Sequence, residues 1–170
     1  MQREIVEGVL VVEDLQASLK EIRRLAASCD VIIQAMNADK LAGISHIDLA
    51  MRKALRAFEE GRNVARDPGV ELMRYASGRR QITEAFSLGL SVGENRVVLV
   101  VLGKEQEAVS KTATVLRGFV EEAQVLEYRP EKRAVLMEHF GIGEAEILAV
   151  GEAKLPELVL ERVALVDVLK

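Results

Sequence analysis

The chain has one cysteine, Cys29, in 170 residues. No intramolecular disulfide and no cysteine-based zinc cluster can form, which suits a reducing compartment. Aromatic residues make up 4% of the sequence, and tryptophan is absent. That counts against an extended platform for stacking a long single strand of nucleic acid. No uninterrupted apolar run approaches the roughly 20 residues that a membrane span needs. The N-terminus, MQREIVEGVLVVEDLQ, is charged at positions 3, 4 and 7 and does not read as a signal peptide. A cytoplasmic protein is expected. The phosphate loop G-x-x-x-x-G-K-[ST], the zinc pair H-E-x-x-H and the nucleophile elbow G-x-S-x-G are all missing. Gly141 and Gly143 follow an expected helix rather than a strand, so they open no dinucleotide fingerprint. No metal, cofactor or enzymatic mechanism is nominated.

What is present suits one globular domain over residues 1–170, with 49% hydrophobic and 29% charged residues. Val9–Val12 is a short apolar run and a candidate buried strand. Asp14 is placed to cap a helix carrying Leu15, Leu19, Ile22 and Leu25. Cys29–Met36 is rich in β-branched residues and reads as a second strand, with Cys29 as a small buried hydrophobe at its start. Ser45 is expected to open a long helix with Asp48 in a capping-box position and Leu49, Met51, Ala54, Leu55 and Phe58 inward. Asp67-Pro68 starts a shorter helix that Ser77-Gly78 ends, and a third helix is expected over 79–88. Arg96–Leu102 is apolar throughout, as a central strand would be. Helices follow over 104–120, 131–140 and from Gly143 to about Val150, with 124–128 a further strand or extended segment. The fold class is α/β or α+β, with one small mixed sheet of three to five strands packed with several helices.

The C-terminal segment LPELVLERVALVDVLK is too apolar for a single buried stripe. It is a helix wedged in the core, a helix with a second face for a partner, or a terminal strand.

The charge is unevenly spread. The chain has a net charge of −4, yet residues 51–80 hold eight basic side chains and four acidic ones, leaving −8 for the rest. The bland reading is a solvated helix flank with pairs such as Arg56–Glu60. Against it, SGRRQI places a Ser77-Gly78 turn before Arg79 and Arg80 at a helix start. Free backbone N–H groups and two guanidinium forks suit a phosphate, and Gln81 adds an amide for a base edge or ribose. His46, in the first turn of the long helix, and His139, near a helix end, are the histidines. His46 or a pocket near Ser77 would be the starting point for an enzyme or small-molecule binder.

Residues 44–89 also carry a family resemblance. A-x-x-K-A-x-x-A-F at Ala50–Phe58 follows His46. N-[VI]-A then falls at Asn63–Ala65, E-L-x-x-Y at Glu71–Tyr75 and S-G-x-R-Q-I-x-x-A at Ser77–Ala85. In this order and spacing the chain resembles the kinase-binding subunit of the KEOPS complex, the TPRKB-type proteins of archaea and eukaryotes. The match continues more loosely through RVVLVVLG and residues 126–142.

That resemblance implies a non-catalytic subunit, of archaeal type. It implies binding to a small atypical kinase that acts as an ATPase. The assembly's catalytic subunit makes threonylcarbamoyl-adenosine in tRNA, and archaeal members bind the 3′ CCA end of tRNA. Ser77, Gly78, Arg80, Gln81 and Ile82 fall on the matching motif, as does Lys53 on its own. Arg52, Arg56 and Arg79 are added from charge. The kinase contact is expected on the C-terminal helix, with Leu158, Leu165, Val166 and Leu169 as candidates. A kinase adaptor without its own RNA contact is the alternative.

Overall fold

In the computed structural model, which describes residues 1–168, the chain forms two compact units. Met1–Ala38 and Gly89–Val125 make the first; Asp39–Leu88 and the described residues from Leu126 onward make the second.

The first unit is a four-stranded antiparallel sheet with two helices. Its strands are β1 (Gln2–Val12), β2 (Ile32–Asn37), β3 (Gly93–Gly103) and β4 (Glu121–Glu122), in the order β2-β3-β1-β4. β1 pairs with β3 along its whole length, from Gln2 opposite Gly103 to Val12 opposite Gly93. β3 is central and apolar, as its sequence requires. β1 is longer than its apolar run predicts. Its first half carries Arg3, Glu4 and Glu7, and Glu4 accepts a hydrogen bond from Ser110 Oγ at 2.9 Å. Gly8 lets β4 approach, since a Cβ there would collide with the Glu121 carbonyl oxygen. The helices are α1 (Leu15–Cys29) and α5 (Gln106–Arg117). Val6, Val97, Leu99, Val101, Val109, Ala113 and Leu116 form the core. Asp14 caps α1 as expected, accepting from Ala17 N at 3.1 Å. Cys29 is a correction: it ends α1, half-buried, rather than opening a strand. The chain leaves that helix through Asp30 in a left-handed conformation, so β2 begins only at Ile32. Residues 124–128 form no strand; the added strand is β4, with two residues.

The second unit is helical. It holds α2 (Ile44–Glu59), α3 (Pro68–Ser77), α4 (Ile82–Ala85), α6 (Arg133–Phe140), α7 (Glu144–Val150) and α8 (Leu155–Ala164). With the sheet of the first unit, the described residues make an α+β fold. Asp67 caps α3 through bonds from Gly69 N and Val70 N, with Pro68 in the first turn. α2 departs from expectation. Gly43 occupies the cap position and has no side chain to cap the helix; Glu127 Oε1 accepts from Ile44 N at 3.2 Å instead. Its buried stripe is His46, Ile47, Ala50, Ala54 and Ala57, so the small residues face inward, while Leu49, Met51, Leu55 and Phe58 are half-exposed. Alanines on this stripe let α2 and α3 pack closely. A further core gathers Ala42, Leu136, Phe140, Ile142, Ile147, Leu155, Leu158 and Val159.

Candidate functional site

Ser77 is fully buried at the end of α3. Its hydroxyl donates to the Arg74 carbonyl at 2.7 Å and accepts from Arg79 N at 3.1 Å. Gly78 follows with φ 69°, and its N–H bonds to the Tyr75 carbonyl. The N–H groups of Gly78 and Arg79 are therefore used within the turn, where the sequence reading left free donors. Arg79 is also committed: its guanidinium donates to the His139 carbonyl at 2.6 Å. The expected helix over 79–88 shrinks to α4 and a 3-10 turn at Phe86–Leu88, so Arg79 and Arg80 precede the helix by two or more residues. What the turn offers to solvent is Arg80 and Gln81, both exposed, and half-buried Ile82. Neither polar side chain makes a hydrogen bond among the described residues.

Two histidines hold the turn from beneath. His46 Nδ1 accepts from Ala42 N at 3.0 Å, which leaves Nε2 to donate to the Ala76 carbonyl at 2.7 Å. His139 Nε2 meets the Ser77 carbonyl at 2.9 Å. Burial pushes both imidazoles down to about 4, against the bond each makes to a carbonyl. Both are neutral near pH 7, so His139 supplies no charge to its helix end. Both ring nitrogens of His46 serve backbone groups, and its ring packs edge-on against Phe140.

A buried ion pair fixes the other side of the turn. Glu71 and Arg74 are 0% and 4% exposed and meet at 2.6 Å. Glu71 also accepts from Val64 N and Ala65 N at 2.9 and 3.3 Å. Arg74 donates to the Arg80 carbonyl at 3.2 Å and lies over the Tyr75 ring. The Asn63–Ala65, Glu71–Tyr75 and Ser77–Ala85 motifs are thus tied into one scaffold. The sequence reading counted Arg74 as part of a basic patch; it is interior. Exclusion from water makes such a pair costly to break, although it need not add net stability.

Lys53 and Arg56 lie elsewhere along α2. Lys53 is seven residues beyond His46, about 10 Å along the helix. Lys53 Nζ sits 3.1 Å from Asp167 Oδ2 and above the Tyr75 ring. Arg56 is exposed and pairs with Glu60, as the bland reading expects. With Arg52, Glu59, Arg62 and Asp167 they line an open groove of about 460 Å³. Arg62 and Asp167 carried no signal in the sequence, because 105 positions separate them.

The C-terminal candidates divide. Leu158 and Val166 are buried, because α8 packs against α2, α3 and α6. Val166 offers no outward face and Leu158 only an edge, a correction to the expectation for this helix. Leu165 is half-buried in the 3-10 turn Leu165–Asp167, and Leu169 lies outside the described residues. The exposed apolar side chains nearby are Leu148 at 84% and Val168 at 66%, with Val150. A shallow groove lies between Val150, Lys154, Glu157, Leu158 and Glu161.

Among the described residues no cluster of three or more His, Cys, Asp or Glu side chains could hold a metal, and no helix is long and apolar enough to cross a membrane. The family model for kinase binding protein CGI-121 matches residues 11–167. The chain belongs to the CGI-121 family of kinase-binding proteins. No curated protein matches it. For a CGI-121 family member, the exposed polar turn and the apolar side chains around α7 and α8 are separate candidate surfaces, one for an anion and one for the kinase.

Proposed function

We propose that the chain is a non-catalytic subunit of the KEOPS tRNA-modifying assembly, acting in the cytoplasm. In this reading it binds and regulates a small atypical kinase and recruits tRNA through its 3′ CCA end, beside the subunit that makes threonylcarbamoyl-adenosine. Membership of a kinase-binding family supports the first role. The observation that carries the second is the Arg80-Gln81 pair, presented without internal partners on a turn held by His139 and Arg74. A guanidinium and an amide on a fixed backbone suit the phosphates and base edges of a short single-stranded end. Few aromatics are needed for a ligand of a few nucleotides.

The kinase contact is assigned to the exposed side chains Leu148, Val150 and Val168, with half-buried Leu165 beside them. Apolar groups at the rim of a helical surface are what a partner groove takes up.

A fluorescence-anisotropy titration with intact tRNA and with tRNA lacking CCA tests the RNA role. Preference for the intact end, lost in Arg80→Glu, is the expected result. Equal or absent binding leaves a kinase adaptor with no RNA contact of its own. That second reading is favoured by one observation: Ser77 and Arg79 spend their polar groups on backbone carbonyls of the chain itself.

A further inference from the structure

The groove on the outer flank of α2 is built around an anion that the chain itself supplies. Two donors from distant parts of the sequence converge on the Asp167 carboxylate, with Arg62 nearby, whose own hydrogen bond goes to Glu60 Oε2 at 2.6 Å. Tyr75 Oη lies 2.6 Å from Oδ1, Lys53 Nζ 3.1 Å from Oδ2, and Arg62 Nη1 3.7 Å from Oδ1. A phenol and an ammonium aimed at one oxyanion, with a guanidinium beside them, are also a set that a phosphoryl group recruits. The groove continues to Arg52 and Arg56, one helical turn apart. Arg52 has no ion-pair partner among the described residues. Four cations face Glu59 and Asp167 in the groove and Glu60 at its edge, which pairs with Arg56 and Arg62, so the groove keeps a net positive charge of one with Asp167 in place.

Asp167 has two oxygens and one charge. It engages the Tyr75 end; at the other end Glu60 reaches Arg56 at 3.7 Å and leaves Arg52 open. A ligand with two adjacent phosphoryl groups would span both ends, one on Tyr75, Lys53 and Arg62 and the other on the two arginines. Asp167 lies on a short 3-10 turn near the end of the described chain, with its side chain 27% exposed.

We propose that this groove binds a polyphosphate anion, as free pyrophosphate or as the phosphates of a nucleotide, and that Asp167 is a built-in competitor which the ligand displaces. The Ser77–Ile82 turn takes no part, so the site stands or falls independently of RNA binding through Arg80 and Gln81.

The test is calorimetric titration of the full chain with pyrophosphate at moderate salt, with orthophosphate and a short oligonucleotide in parallel. Saturable pyrophosphate binding is expected, with amide shift changes at Lys53, Arg62 and Tyr75. Asp167→Asn should tighten it about threefold, the scale of a partly exposed ion pair. Arg52→Gln with Arg56→Gln should weaken it by a similar factor without moving the melting temperature, and keeps the test open should the Asp167 variant fold poorly. Preference for the oligonucleotide would overturn the polyphosphate assignment in favour of a nucleic-acid backbone. No saturable binding, or binding indifferent to the Arg52/Arg56 double substitution, would sink the site altogether.

Discussion

The Tyr75 hydroxyl donates to Asp167 Oδ1 at 2.6 Å across 92 residues of sequence. The bond ties the end of α3 to the last 3-10 turn of the described chain. Burial, and then the Asp167 carboxylate, push the phenol up to about 12, so it stays a donor at ordinary pH. Burial alone would raise Asp167, but the bonds from Tyr75 and Lys53 win and hold its carboxyl below the usual range.

Tyr75→Phe removes this bond and keeps the ring. A loss of about 1 kcal/mol is expected in urea unfolding. Amide exchange at residues 165–167 should rise more than elsewhere. Unchanged exchange there would mean that packing alone holds the turn.

Glu71→Ala should be far more damaging. It strands the buried Arg74 guanidinium and two backbone N–H groups that Glu71 accepts. Loss of one partner of a buried pair costs about 3–5 kcal/mol. Chemical denaturation reads this directly, and a loss near that of a surface substitution would show that water reaches the pair.

Gly78→Ala tests the turn. Its φ of 69° strains an L side chain, and a Cβ would lie 3.2 Å from Phe140 Cε1. Left-handed backbone alone costs about 1–2 kcal/mol. The melting temperature should fall, and RNA binding through Arg80 should weaken in protein that is still folded. Wild-type melting would contradict the packing described for Phe140.

Acid should destabilise the fold through His46. Its pKa is lowered from 6.5 to about 4 in the folded chain. Between those values the unfolded chain binds more protons, so stability rises with pH across this window and is lost on descending through it. The whole contribution is about 3 kcal/mol at one pKa unit per 1.4 kcal/mol. Urea midpoints from pH 7 to pH 4 should fall steeply in the wild type and less steeply in His46→Gln. Parallel slopes would move the effect to other groups.

Leu148→Asp should abolish kinase binding in a pull-down while changing stability by no more than about 0.5 kcal/mol, since the side chain is 84% exposed. Retained binding would exclude that side of α7 from the interface.

Local signals carried the elements whose physics is local. Asp14, Asp67-Pro68 and Gly78 act within a few residues, so the start of α1 and both ends of α3 were readable. β3 was readable because a strand covered on both faces must be apolar throughout. The order of motifs in residues 44–89 sufficed for the family, which the match over residues 11–167 shows. Tertiary structure decided what those side chains do. Ser77, Arg74 and Arg79 look like ligands in a basic run, yet their partners are Glu71, His139 and backbone carbonyls of the interior. Leu158 and Val166 look available on an over-apolar helix, yet neighbouring helices cover them. Composition and spacing report which groups a segment owns. Whether a group faces water or another side chain depends on residues far away in sequence, and Asp167 reaching Tyr75 and Lys53 is such a case.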